Sequence, residues 1–228
     1  EAIDNFRLSL AKDAIMRVYQ SKNYPYTHVE IDQDELSKSG VVVFNVIEGS
    51  RVRIRKIKIL GNKTFGDSKL KDQIHSKSWF PLFVSGTFDP DQLEQDVAAI
   101  RQYYENHGFF DVRVGRKVVV SPDQREVMIE FVIDEGQRYV VDRVSFKGNQ
   151  SAPEADLRKN LKMIEGRAYD ADLVKRDTKE IIAVYSKAGG FVYYPIDPPD
   201  PNYLRIREER YFRKDAGKVE LVYNINEG

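Results

Sequence analysis

Three stretches of this chain alternate apolar and other residues and then end in Glu-Gly. They read Val42-Val43-Phe44-Asn45-Val46-Ile47-Glu48-Gly49, Ile129-Glu130-Phe131-Val132-Ile133-Asp134-Glu135-Gly136 and Leu221-Val222-Tyr223-Asn224-Ile225-Asn226-Glu227-Gly228. Each is aliphatic, any residue, aromatic, any residue, aliphatic, any residue, Glu-Gly. A period of two predicts a strand with one buried face, because successive side chains point to opposite sides. After the first two pairs a second apolar series follows. Val52, Ile54, Ile57 and Ile59 lead to Gly61-Asn62, and Tyr139, Val141, Val144 and Phe146 lead to Gly148-Asn149, each Gly-Asn glycine 12 residues after its Glu-Gly glycine. Parity breaks between Ile54 and Ile57 and between Val141 and Val144. A strand that keeps one face buried cannot change parity without a bend or bulge, and the break is read as the crossing from one module to the next.

Helical periods fill the space between. Asp4, Asp89 and Asp170 each lie 15 residues before a tyrosine, Tyr19, Tyr104 and Tyr185. Aspartate suits a helix N-cap because its carboxylate accepts from free amides there. Leu93, Val97, Ile100 and Tyr104 fall on one helical face, as do Val174, Thr178, Ile181 and Tyr185. The first copy, Leu8, Ile15 and Tyr19, is interrupted by Lys12. The tyrosines therefore read as core. Asn23, Gly108 and Gly189 follow four residues later and suit a left-handed C-terminal cap. A shorter helix carries Leu70 and Ile74 in one copy, Leu157 and Leu161 in another.

Assembled, the elements give an α+β chain of tandem β-α-α-β-β modules. Residues 1–50 hold only a second helix and the last two strands, 51–137 a complete module, and 138–228 another with an extended loop or hairpin over 194–218. The chain is thus expected to begin mid-module. The unit resembles the polypeptide-transport-associated (POTRA) domain in its early Gly-Asn, its Tyr-x-x-x-Gly-Phe/Tyr helix end and its closing Glu-Gly. The array resembles the periplasmic part of a BamA-type outer-membrane β-barrel assembly factor. That resemblance implies a three-stranded mixed sheet per module with two helices packed on one face and an exposed edge. It also implies a place on the periplasmic face of the bacterial outer membrane. Unfolded outer-membrane proteins and accessory assembly subunits would be the partners, with a C-terminal membrane barrel absent from these residues. Two departures stand out: the apolar insertion Trp79-Phe80-Pro81-Leu82-Phe83-Val84 and the Pro-rich excursion near residue 198. The alternative within the same family is the POTRA region of a two-partner secretion transporter.

Two binding sites follow. An edge strand offers unpaired N–H and C=O groups to an extended client, and the strand through Phe110, Val112, Val114, Val118 and Val120 is the candidate edge. Its plainer reading is that it only completes the sheet. Trp79, Phe80, Leu82 and Phe83 form the candidate apolar patch, whose plainer reading is packing beneath the helices or against a neighbouring module.

Composition narrows the remaining classes. Lys plus Arg and Asp plus Glu both number 36, which speaks against a nucleic-acid binder with its usual basic excess. The segments between the helices also lack the Gly-x-x-Gly loop of a KH domain. There is no cysteine, so disulfides and thiolate metal sites are excluded. The three histidines His28, His75 and His107 are isolated, and no metal or cofactor is expected. Gly61 to Ser68 has the glycine spacing of a phosphate loop, but Asp67 stands where its lysine must be. The chain reads as non-enzymatic, with no catalytic residue.

Overall fold

The alternating and helical periods fold into two compact units, one of residues 1–101 with 113–134 and the other of 102–112 with 135–228. The computed structural model describes residues 5–188, 192–193 and 203–228.

The N-terminal unit runs α1 (Asn5–Ser21), β1 (His28–Ile31), α2 (Gln33–Ser39), β2 (Phe44–Ile47), β3 (Arg53–Leu60), α3 (Asp67–Lys71), α4 (Pro90–Asn106), β4 (Arg113–Val120) and β5 (Glu126–Asp134), with the end of α4 belonging to the other unit. β1 and β2 form an antiparallel pair. The sheet after them has the order β3-β5-β4, with β3 parallel and β4 antiparallel to β5. Ile54, Ile57 and Ile59 of β3 and Val127, Ile129, Phe131 and Ile133 of β5 are buried, as are Leu93, Val97 and Ile100 of α4. No residue of α1 is fully buried. The helix α2 between the first two strands was not foreseen; Asp32 caps it through the Glu35 amide.

The C-terminal unit repeats the plan as β6 (Val140–Lys147), α5 (Glu154–Arg158), α6 (Ala171–Ala188), β7 (Val192–Tyr193), β8 (Tyr203–Arg213) and β9 (Lys218–Asn226). Its sheet order is β6-β9-β8-β7. The two-residue β7 adds a fourth, parallel strand to the three expected. Residues 203–213, expected within an extended loop or hairpin, are a strand pairing antiparallel with β9. Only Leu204 and Ile206 show the buried alternation there, and Arg207 to Arg213 are exposed; charged residues hide the period of the strand.

The two sheets share their irregularities. The parity break is not a crossing between modules. It is a bulge inside one strand, between Ile54 and Lys56 in β3 and between Val141 and Arg143 in β6. The Gly-Asn turns are equally matched. Asn62 donates its side-chain amide to the Phe65 carbonyl at 2.9 Å, and Asn149 to that of Ala152 at 3.1 Å. Asp89 accepts from the Asp91 and Gln92 amides and Asp170 from those of Asp172 and Leu173, which are the expected caps. Asp4 and Gly189 lie outside the described residues. Asn23 and Gly108 take the left-handed conformation at φ 72° and 91°. Their carbonyls accept from Val52 and Tyr139, each three residues past a Glu-Gly glycine, at 2.6 and 2.8 Å.

Polar staples complete each module. Tyr104, fully buried, donates to Glu135 at 2.8 Å, and Tyr185 to Glu227 at 2.7 Å. The tyrosine of the helix and the glutamate of Glu-Gly are therefore one interaction written 31 and 42 residues apart. Burial, then the hydrogen bond to the carboxylate, pushes both phenols far above their ordinary value. For Glu227 burial acts upward. The Ser151 and Tyr185 hydroxyls and the Ser151 amide more than offset it, leaving the carboxyl below its ordinary 4.5. A lowered folded-state pKa contributes stability that is present above the unfolded value and lost as pH falls through the folded one. Acid unfolding of this unit should therefore set in below about pH 4.5, and Glu227→Gln should flatten that slope in a pH series of urea midpoints. An unchanged slope would assign the acid sensitivity elsewhere.

Candidate site: an open sheet edge and an apolar hairpin

The ladder β3-β5-β4 stops at β4 among the described residues, so β4 is a sheet edge. Which of its backbone groups are free follows from one hydrogen bond. The Ser121 amide donates to the Glu126 carbonyl at 2.9 Å across the closing turn, and the register places Val120 opposite Val127. In an antiparallel ladder residues bond to their partner strand alternately. Arg113, Gly115, Lys117 and Val119 thus turn their amides and carbonyls toward β5. Val114, Arg116, Val118 and Val120 turn theirs outward. Three cations and no carboxylate lie along Arg113–Val120, a charge pattern that discourages two such edges from pairing with each other. Arg116 is ion-paired to Glu94 of α4.

The structure distributes the five expected edge residues unevenly. Val114, Val118 and Val120 are in the strand, and their outward offer is backbone. The Val114 side chain is buried, that of Val118 is half-buried, and Val120 is 42% exposed. Val112 and Phe110 precede the strand and belong to the C-terminal unit. Val112 is buried. The Phe110 ring sits 5.5 Å from Tyr139, 5.0 Å from Tyr169 and 4.7 Å from Phe212, under the Arg210 guanidinium. It is a core-packing side chain. Sequence had no means to separate it from the strand, because its valine neighbours continue the same parity.

The apolar insertion is exposed. Phe80 and Val84 exchange two backbone hydrogen bonds at 3.1 Å, closing a hairpin whose turn is Pro81-Leu82-Phe83. Relative exposures are 39% for Trp79, 58% for Phe80, 98% for Leu82 and 80% for Phe83. Leu82 occupies the left-handed region at φ 67°, where turn positions of this kind usually carry glycine or asparagine. Packing beneath the helices, one of the two plainer readings of this segment, does not occur.

The hairpin's origin is visible by comparing the two modules. In the C-terminal unit Val141 donates to the Arg167 carbonyl and accepts from the Gly166 amide, both at 2.8 Å. In the N-terminal unit the equivalent Ile54 donates to Gly86 and accepts from Trp79, both at 2.7 Å. Trp79 and Gly86 thus occupy the places of the adjacent Gly166 and Arg167, and residues 80–85 are extra. The Trp79 ring is held under the Arg53 guanidinium, 4.0 Å away. Arg53 in turn pairs with Glu126 at 2.9 Å.

The repeated elements also match a known family. The model described as POTRA, surface antigen variable number repeat, covers residues 52–136 and 139–228. The chain belongs to the POTRA family. Its relatives include the outer membrane protein assembly factor BamA of Nitratidesulfovibrio vulgaris, 27% identical over 191 residues, which are 79% of this chain and 24% of that protein. The BamA of Neisseria meningitidis is 29% identical over 161 residues, covering 68% of this chain and 20% of the relative. This POTRA chain therefore spans about a quarter or less of the length of those relatives. Among solved structures, POTRA3-5 of Haemophilus influenzae BamA superposes with a TM-score of 0.51 at 19% identity, covering 96% of this chain and 80% of that one. That likeness establishes the fold.

Among the described residues no cluster of His, Asp or Glu is arranged to hold a metal ion. No helix among the described residues is long and apolar enough to cross a membrane. Neither observation bears on a β-barrel elsewhere.

Proposed function

We propose that this POTRA chain is a non-catalytic polypeptide-binding segment of an outer-membrane protein assembly factor, acting on the periplasmic side, and that it receives extended client chains as an added strand on β4. One observation carries the reading: a row of outward-facing backbone groups at Val114, Arg116, Val118 and Val120, on a sheet edge with which no further described strand pairs. Backbone pairing is nearly indifferent to client sequence, which suits a receiver of many different unfolded outer-membrane proteins. The names of the relatives support that class of client. Accessory assembly subunits and a membrane barrel are the further partners this reading entails.

The test is an amide NMR titration with an extended peptide copied from an outer-membrane β-strand. Shifts should alternate along β4, strongest at the four outward-facing residues. Val118→Pro removes one outward donor without removing a bond to β5, since proline is tolerated where the N–H faces away from the ladder. It should weaken the peptide by about fivefold to tenfold, as expected for one lost hydrogen bond. The absence of saturable shifts at millimolar peptide would refute strand addition here.

A further inference from the structure

We propose that the hairpin of residues 80–85 is a lipid-inserting wedge that enters the interfacial layer of an anionic phospholipid surface. The inference rests on the reading that the chain works beside the outer membrane, but its evidence is separate from the β4 edge.

Four observations carry it. The hairpin is dispensable to the fold, because Gly166 and Arg167 make the same two backbone bonds with no residues between them. Its tip is convex: Leu82 and Phe83 are 98% and 80% exposed, and Phe80, 5.9 Å from Phe83, is 58% exposed. An extended client needs a groove or an open ladder, whereas a protruding apolar tip suits a soft apolar phase. The tip is held in shape at some conformational cost. Leu82 sits at φ 67°, and Gly86, at φ 61°, passes so close to Trp79 that an added Cβ would lie 2.5 Å from the Trp79 Cβ. Finally, positive charge predominates around its base. No acidic residue occurs between Asp72 and Asp89, Lys77 stands just before the hairpin, and Arg53 covers Trp79. Arg51, Arg53 and Arg125 line the same groove as Trp79 and Ser85 and outnumber its two carboxylates, Asp123 and Glu126. Aromatic and aliphatic residues at a tip with cations behind it match the layered chemistry of a membrane interface, apolar inside and anionic at the headgroups.

The chain supplies its own reporter. Trp79 is its single tryptophan and lies at the hairpin's base. The 228-residue chain should be mixed with vesicles of phosphatidylethanolamine and phosphatidylglycerol and with neutral phosphatidylcholine vesicles. Trp79 emission should shift to the blue with the anionic vesicles, and the chain should float with them, less so at high salt. Leu82→Asp and Phe83→Asp should each lower partitioning at least tenfold. Removing residues 80–85, so that Trp79 joins Gly86, should do the same while leaving the thermal transition in place. No blue shift at millimolar anionic lipid would overturn the proposal. So would vesicle binding that survives both aspartate variants, or a Trp79 response to a client strand peptide and not to lipid. Repeating the β4 titration in the deletion variant separates the two readings. Loss of lipid binding with β4 shifts intact is the expected pattern, and β4 failing while vesicles bind would sink strand addition alone.

Discussion

Gly61→Ala should remove about 3 kcal/mol from the stability of the N-terminal unit. Gly61 ends β3 at φ +84°, and a Cβ there would lie 2.0 Å from the Ile133 carbonyl oxygen of β5. The left-handed conformation costs a side chain about 1–2 kcal/mol, and forcing atoms into a packed site typically costs about 1–3 more. The clash is with backbone, so no rotamer change relieves it. Gly148 repeats the arrangement at φ +79° with 2.1 Å to the Ile225 carbonyl oxygen. Urea unfolding followed by Trp79 emission reports the N-terminal unit, which contains that residue. A midpoint for Gly61→Ala equal to the parent's would mean that β3 and β5 do not approach as closely at this turn as the structure has them.

Asp177→Ala should cost the C-terminal unit about 3 kcal/mol, because two backbone donors would lose their acceptor at about 1–3 kcal/mol each. Asp177 is fully buried on α6 and accepts from the Lys162 and Met163 amides, both at 2.7 Å, in the segment after α5. Asp96 of α4 does the same for His75 and Ser76 at 2.8 and 3.0 Å. Each aspartate therefore fastens the loop after the short helix to the long one. Burial raises the Asp177 carboxyl above its ordinary value, and the two amides oppose this without cancelling it. The ionised form is thus held at some cost, and Asp177→Asn, which keeps an acceptor, should cost less than the alanine. Amide exchange at Lys162 and Met163 reads the effect directly. Unchanged protection in the alanine variant would show that the loop is held by apolar packing alone.

Neither aspartate stands out in the sequence, although both recur seven residues after the capping Asp89 and Asp170. A charged residue inside a helix ordinarily marks the solvent face. Only the loop folded back over the helix shows that this one is buried and satisfied. The β8 strand escaped for a similar reason. Glu208 meets Thr178 of α6, and Arg210 and Phe212 meet Phe110, so charged side chains stand at positions where apolar ones would mark the period of two. The tyrosine stripes, caps and Gly-Asn turns were legible because each depends on local backbone geometry, which a few neighbouring residues determine.

The candidate sites divide along the same line. That an apolar insertion lies near residues 79–84 is written in the chain; that it comprises 80–85 and projects rather than packs follows from which neighbours Trp79 and Gly86 find on β3. That valines run from 112 to 120 is also written there. Their division into a buried Val112 and an open edge from Val114 is not, because an edge exists only relative to the strand that fails to arrive. The modular α+β repeat, its turns and its helix ends are legible along the chain, all products of short-range geometry and hydrophobic period. Pairing order and the Tyr–Glu and Asp–amide staples emerge only in the folded chain, because each joins residues distant in sequence whose meeting no local pattern encodes.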